Sequence, residues 1–200
     1  MSGRVAIIDS GGANIASLTF AFERLGIEAT LTRDADTIRA ADRVLLPGVG
    51  AARDSMLRLR EAGLIDVIRG LTQPVLGICL GMQLLADASE EDDTDCLGVI
   101  PGVARKLAAS VDAPVPNMGW CPVRHDGTHP VLAGIPDGAY FYFVHSYALP
   151  ITGFTVATAA HSRDFSAIVA KDNFVAAQFH PERSARYGAM LIHNFIRSGT

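Results

Sequence analysis

A cysteine between two glycines is the residue of this sequence best suited to nucleophilic chemistry. Residues 77–81 read Gly-Ile-Cys-Leu-Gly and stand between a β-type run and an amphipathic run. This G-x-C-x-G pattern is the thiol counterpart of the nucleophile elbow, where a sharp strand-to-helix turn lifts one side chain clear of the sheet. The helix N-terminus that follows favours negative charge, and a position of this kind can lower the pKa of a thiol. Cys79 is the predicted nucleophile; the alternative is a buried, inert cysteine.

A thiol nucleophile needs a base, and the base needs a group that orients it. His180 and Glu182 flank Pro181 at the end of a strand-like run. In extended geometry, residues two apart lie on the same side of a strand, so these side chains can form a hydrogen bond. We predict His180 as the base and Glu182 as its orienting group. An ordinary loop is the alternative.

Backbone amides are the predicted stabilisers of a developing oxyanion. Residues 47–50 read Pro-Gly-Val-Gly after a strand-like run. A glycine-flanked loop at the carboxyl end of a parallel strand can turn its N–H groups toward a ligand. The N–H groups of Val49 and Leu80 are the predicted donors, with Gly48 and Gly50 allowing close approach of a substrate. The alternative is a plain strand-to-helix turn.

A zinc site is the rival use of cysteine and histidine. His125 and His129 have a ligand-like spacing, but a turn-forming Asp-Gly lies between them and no cysteine pair accompanies them. We therefore expect no metal. Cys96 and Cys121 lack a glycine frame and are predicted to be structural. Three cysteines without a secretory signal favour free thiols in a reducing cytoplasm.

The elements that must position these groups alternate between β-type and amphipathic runs, which indicates an α/β fold. We expect one domain over residues 1–200, with a doubly wound, mainly parallel sheet and an antiparallel extension between about residues 96 and 175. Residues 89–95 are strongly charged and are predicted to form a solvated loop. The predicted strands are 4–8, 29–32, 44–46, 75–78 and 174–179, and the predicted helices are 15–25 (with Asn14 as N-cap), 52–69 (as one or two helices), 80–88 and 187–197.

Composition excludes several classes of function. The chain has 200 residues, is 49% hydrophobic and has a formal charge of −4, which fits a folded core and gives no cationic surface for nucleic acid. Its longest apolar run, residues 75–82, is far below the ~20 residues of a membrane span. We expect neither nucleic acid nor membrane as a partner.

Three motifs resemble, in order and spacing, the class I glutamine amidotransferases: residues 46–50, 77–83 and 178–182. Residues 116–120, 142–147 and 7–15 narrow the resemblance to the glutaminase subunits of imidazole glycerol phosphate synthase. The resemblance implies a flavodoxin-like fold, glutamine as substrate, no cofactor, and a (β/α)₈-barrel cyclase partner that receives ammonia during histidine biosynthesis.

The resemblance also implies roles for further residues. Gln83 and the backbone of Ser146 and Tyr147 match substrate contacts. Asn14, Asn117, Met118, Trp120, Tyr142 and Arg183 match the partner interface, with core burial as the alternative for Trp120. The sequence departs from the family pattern at Ser10, Ala13, Asn117 and Cys121, and none of these positions belongs to the predicted triad.

Three alternatives stay open at this point. A glutaminase subunit of pyridoxal phosphate or anthranilate synthesis would share the triad. A stand-alone cysteine hydrolase could use the same flavodoxin-like scaffold. A non-catalytic binding subunit could retain the fold, although the complete triad argues against it.

Overall fold

The computed structural model describes residues 4–11, 15–24 and 26–197, without the side chains of residues 15 and 16. The strands are β1 (Val5–Ile8), β2 (Ala29–Thr32), β3 (Arg43–Gly48), β4 (Val75–Cys79), β5 (Ala88–Ser89), β6 (Thr94–Asp95), β7 (Val103–Lys106), β8 (Asn117–Val123), β9 (Ala139–His145), β10 (Tyr147–Ala148), β11 (Thr155–Ala160), β12 (Asp164–Lys171) and β13 (Phe174–Ala177). The α-helices are α1 (Ile15–Arg24), α2 (Ala35–Ala40), α3 (Ala52–Glu61), α4 (Ile65–Arg69), α5 (Leu80–Leu85) and α6 (Ala185–Arg197).

The predicted doubly wound sheet is confirmed. Seven strands run in the order β11-β12-β13-β4-β3-β1-β2, and the five from β13 to β2 are parallel. Read from the other edge, the parallel part has the flavodoxin-like order. Strands β11 and β12 are antiparallel additions, as expected for the extension. The carboxyl ends of β3, β4 and β13 therefore lie side by side.

The sheet separates two apolar cores. Successive side chains of a strand point to opposite faces, and β1 follows this rule. Val5 and Ile7 pack on the face covered by α1, α6 and the β8–β9 pair, whereas Ala6 and Ile8 pack on the face covered by α3, α4 and α5. A strand buried on both faces explains the uninterrupted apolar run that predicts it.

The strongly charged segment is the clearest correction. Helix α5 ends at Leu85 instead of reaching residue 88, and residues 88–95 form β5, a 3₁₀ turn and β6 where a loop is predicted over 89–95. The reason lies in tertiary contacts: the Asp87 carboxylate accepts the Gly102 N–H, and β5 pairs with both β6 and β7. A four-stranded sheet, β10-β7-β5-β6, results beside the main sheet.

Other boundaries differ by a few residues. The run at 52–69 forms the separate helices α3 and α4, divided at Gly63, whose φ of +66° ends the first of them. Helix α2 is absent from the predicted elements, although Asp34 caps it by accepting the Thr37 N–H. Asn14 and Leu25 lie outside the described residues, so the predicted cap and the end of the first helix stay predictions, as does the single domain. No helix in the described ranges is long and apolar enough to cross a membrane.

Candidate active site

Cys79 lies at the sharp turn between β4 and α5. Its backbone has φ 53° and ψ −110°, a region that residues with a side chain rarely adopt. The turn fits because its neighbours are glycines. A Cβ on Gly81 would overlap the Leu46 carbonyl oxygen, and one on Gly77 would come within 2.9 Å of the Ala176 Cβ. The local sequence thus produces the elbow that its G-x-C-x-G pattern predicts.

A cavity of about 480 Å³ opens over this turn. Most of the predicted site residues line it: Val49, Gly50, Cys79, Leu80, Gln83, Ser146, Tyr147, His180 and Arg183, together with Glu91, Pro116, Val144 and His145. The cavity is large enough for a small amino acid, and its lining places a thiol, an imidazole and several polar groups within one space.

His180 and Glu182 are paired. The Nδ1 atom of His180 lies 2.8 Å from Oε1 of Glu182, and the two side chains are only 5% and 3% exposed. The predicted extended geometry is wrong, because β13 ends at Ala177 and Pro181–Arg183 form a 3₁₀ turn. The Ser184 hydroxyl donates to the His180 carbonyl at 2.6 Å and holds this turn.

The electrostatics of His180 suit a proton-transfer group. Burial by itself would lower the pKa of His180, but the Cys79 thiol and the Glu182 carboxylate outweigh it and raise that pKa above its ordinary value. The Nε2 atom is buried and has no hydrogen-bond partner in the described part of the chain. With Nδ1 occupied by Glu182, Nε2 is the atom that remains for proton exchange.

The other two thiols are poorer nucleophiles. Burial, with the Asp95 and Glu91 charges, raises the pKa of Cys96 to about 12. Burial also raises the pKa of Cys121, with Asn117 opposing it. Since the thiolate is the reactive form, neither thiol is suited to attack near neutral pH. Cys79, by contrast, lies in the cavity beside an imidazole.

Two glutamine side chains connect the turn to the cavity wall. Gln83, one turn of α5 after Cys79, donates to the Tyr147 carbonyl at 3.1 Å and to Gln178 Oε1 at 3.3 Å. Gln178 in turn donates to the Cys79 sulfur at 3.9 Å. The sequence singles out Gln83 but not Gln178, and only the place of Gln178 two residues before His180 could have signalled it.

The predicted oxyanion segment follows β3 and borders the elbow. Gly48 is the register partner of Cys79, and a Cβ on Gly48 would lie 2.9 Å from the Leu80 Cβ. Gly50 has φ +92°, which favours glycine. The Ser10 hydroxyl anchors this segment by donating to the Pro47 carbonyl at 2.7 Å. Leu80 begins α5, where the first N–H groups have no partner within the helix.

Four residues that line the cavity have no predicted role, and two of them, Glu91 and His145, carry titratable side chains. Glu91 falls in the predicted solvated loop, yet its Oε2 accepts the Ala52 N–H at 2.8 Å. His145 lies in a motif of the resemblance without a role of its own, yet it is buried and hydrogen-bonded to Asn117 and to the Tyr147 carbonyl. No local pattern marks either position, because distant segments bring them to the cavity.

The residues predicted to face a partner divide into two groups. Met118 and Trp120 are 64% and 50% exposed, so core burial of the tryptophan is wrong. Tyr142 packs edge-on against Trp120 and carries the Arg183 guanidinium 4.4 Å above its ring. Asn117 does not lie on the surface, because its side chain faces inward to His145 and is 2% exposed. Asn14 is outside the described residues.

One member of the histidine pair with ligand-like spacing has a ring nitrogen engaged within the protein. His129 uses Nδ1 to accept the Val131 N–H at 3.2 Å, which caps a short 3₁₀ turn. The described ranges contain no group of three or more His, Cys, Asp or Glu side chains that could hold an ion.

Comparison with known proteins gives consistent matches. The profile of the family described as glutamine amidotransferase class-I matches residues 6–198. Imidazole glycerol phosphate synthase subunit HisH 2 of Legionella pneumophila subsp. pneumophila is 51% identical over 192 residues, 96% of each chain. Subunit HisH of Xanthomonas oryzae pv. oryzae is 51% identical over 195 residues, again 96% of each chain.

Solved structures support the fold. A crystal structure described as a glutamine amidotransferase has a TM-score of 0.74 and covers 96% of both chains at 20% identity. The structure of PurLQS from Thermotoga maritima also has a TM-score of 0.74, at 16% identity, and covers 98% of both chains. At that level of identity these matches show the fold alone.

Proposed function

The chain belongs to the class-I glutamine amidotransferase family and, within it, to the HisH subunits of imidazole glycerol phosphate synthase, and from this premise we propose how it acts. It hydrolyses glutamine to glutamate and passes the ammonia to a (β/α)₈-barrel cyclase partner in histidine biosynthesis. The observation that carries this proposal is the cavity in which Cys79 meets the His180–Glu182 pair.

We propose that Cys79 gives its thiol proton to His180 and that its thiolate attacks the carboxamide carbon of glutamine. Its sulfur forms the new C–S bond, and the carbonyl oxygen becomes an oxyanion that the N–H groups of Val49 and Leu80 stabilise. His180 then protonates the nitrogen as the C–N bond breaks, so ammonia leaves and a thioester remains. His180 next takes a proton from water, which attacks the thioester and releases glutamate and the thiol.

Glutamine itself is recognised at its amino-acid end. The carboxylate of Glu91 lines the cavity and suits the substrate's ammonium group, because opposite charges attract strongly where water is excluded. Gln83, with the backbone of Ser146 and Tyr147, holds the other polar atoms of that end. Gly50 lines the cavity without a side chain, and Gly48 lets the Val49 segment lie close to Leu80.

The surface formed by Met118, Trp120, Tyr142 and Arg183 is the proposed contact with the cyclase. Exposed aromatic and arginine side chains are typical of interface centres, and the Arg183 guanidinium can meet a carboxylate of the partner. Pro116, just before the strand that carries Trp120, and His145, on the paired strand, both line the cavity, so we place the ammonia path along this strand pair. We place this heterodimer in the cytoplasm.

The test is reconstitution. The full chain is mixed with the cyclase subunit encoded in the same cell, and glutamate and imidazole glycerol phosphate are measured with glutamine as the only nitrogen source. Glutamate without the second product would favour another glutaminase subunit. Cleavage of peptides without glutamine or partner would favour a stand-alone cysteine hydrolase. No turnover at all would refute the enzymatic assignment.

A further inference from the structure

Strand β8 has two chemically different faces. Its side chains alternate, so Met118 and Trp120 point outward while Asn117 and Cys121 point inward. The inward pair begins a chain of hydrogen bonds. The Cys121 sulfur lies 3.6 Å from Asn117 Oδ1, and Asn117 Nδ2 lies 3.0 Å from Nε2 of His145, its cross-strand partner on β9.

The chain continues into the substrate-binding segment. The Nδ1 atom of His145 lies 2.9 Å from the Tyr147 carbonyl oxygen. A carbonyl only accepts, so Nδ1 carries the proton and Nε2 is the acceptor that takes the Asn117 N–H. The Asn117 oxygen is then free to accept from the Cys121 thiol. Each of these three hydrogen bonds thus has a defined donor and a defined acceptor.

These bonds fix the orientation of the segment's peptides. The Tyr147 carbonyl accepts from His145 and from Gln83 Nε2, while the Ser146 carbonyl accepts from the Leu107 N–H at 2.8 Å. Both carbonyls are therefore held by protein donors. In a trans peptide the N–H points opposite to the C=O, so the Tyr147 N–H is directed away from Leu107. That N–H is what the segment can offer to a carboxylate.

The imidazole suits this task because it stays neutral. His145 is buried, and its ring meets those of Phe165 and Phe143 at centroid distances of 5.0 and 5.6 Å. Burial lowers the pKa of His145 to about 4, with the nearby His161 and His180 adding to the effect. A neutral ring keeps one donor and one acceptor over the working pH range.

We propose that His145 is a positioning residue for glutamine hydrolysis. It holds the Ser146–Tyr147 segment in the shape that binds glutamine, and it ties this segment through Asn117 to the strand that presents Met118 and Trp120. This inference rests on the proposed function, since it assigns a role within the same reaction. His145 acts through the segment that it holds, while the reacting atoms meet Cys79 and His180.

The test compares three variants of the full chain, assayed with the cyclase partner present. His145→Leu removes both hydrogen bonds and should raise the KM for glutamine by about threefold to tenfold, the size of one net hydrogen bond. The kcat should fall less than the KM rises. His145→Asn keeps an amide donor near the position of Nδ1, so it should restore the KM to within about twofold of wild type.

Phe165→Leu is the matched control, because it removes packing against the same ring but no polar contact. It should lower the melting temperature and leave the KM within about twofold. If His145→Leu does not fold, Asn117→Leu serves instead, because it removes the hydrogen bond to Nε2 of His145 and should also raise the KM for glutamine.

An unchanged KM in His145→Leu, or in Asn117→Leu where the first does not fold, would overturn the inference. So would an equal rise in Phe165→Leu, or the absence of rescue by His145→Asn. These outcomes leave the proposed function intact. A wild-type chain that hydrolyses no glutamine would instead overturn the proposed function, and the role of His145 with it.

Discussion

Replacing Glu182 by glutamine tests the division of labour within the His180–Glu182 pair. The substitution keeps the shape of the side chain and leaves an oxygen that can accept from Nδ1, but it removes the charge. The pair is buried, with side chains 5% and 3% exposed and an N–O distance of 2.8 Å, so solvent does little to compensate for the lost charge.

The size of the effect follows from that geometry. A buried hydrogen bond to a charged group is worth about 1.5–3 kcal/mol, so kcat should fall roughly tenfold to 150-fold. His180→Ala removes the group that we propose moves the proton in both half-reactions, and such a group contributes about 10²–10⁴. Glu182→Gln should therefore retain more activity than His180→Ala.

The assay is steady-state glutamine hydrolysis across pH, with the cyclase present. Because the Glu182 carboxylate raises the pKa of His180, its loss should also move the His180 limb of the pH–rate profile to lower pH. Glu28→Gln is the matched control, since it removes the same charge from an exposed residue that lines a pocket at the amino end of β1. Equal or inverted losses in the two active-site variants would show that the roles are wrongly assigned.

Three further predictions follow from the same site. Cys79→Ser should abolish glutamine hydrolysis, while the melting temperature and cyclase binding stay near wild type because the sulfur lines a cavity. Normal turnover by this variant would contradict the prediction. A large loss of stability would indicate that the cysteine is a core residue. The pKa of His145 is about 4 in the folded chain, against 6.5 for a free histidine, so acid protonates the unfolded chain first. As the pH falls from 6.5 to 4, the free energy of unfolding of the wild type should therefore decrease by up to about 3 kcal/mol relative to that of His145→Asn. Urea titrations at each pH measure this difference. The isolated chain should be a poor glutaminase if its Val49 peptide is rotated so that the N–H points away from the oxyanion. Cyclase with the acceptor nucleotide should then raise kcat by about 10²–10³, the effect of restoring one oxyanion donor. A change in kcat below about threefold would refute control of activity by rotation of this peptide.

The parallel half of the fold is predictable from the sequence because its strands are buried on both faces. Continuous apolar runs such as Val5–Ile8 and Val75–Cys79, each followed by a glycine-containing turn, leave few other interpretations. The reactive groups are predictable for the same reason, since Cys79 and the residues before His180 follow strands that are easy to recognise.

What the sequence cannot show depends on distant contacts. Glu91 lies among acidic neighbours that resemble a solvated run, and distant contacts such as the Ala52 N–H and the pairing of β5 with β7 hold it at the cavity. His145 looks like any strand residue until Asn117 and Tyr147 provide its partners. Local propensity carries no information on such partners. Asn117 is 28 residues from His145 in the sequence, and Tyr147 follows a bend just beyond the strand that carries His145.

The strained backbone at Cys79 lowers the stability of the fold while it presents the proposed nucleophile. A cysteine held at φ 53° and ψ −110° stores about 1–3 kcal/mol of strain, which the packed strands on either side must outweigh. Glycine would adopt the same conformation without that strain. Selection for thermal stability alone would therefore favour glycine at a position where glycine removes the proposed nucleophile, so the cysteine is retained for its chemistry and not for its contribution to stability.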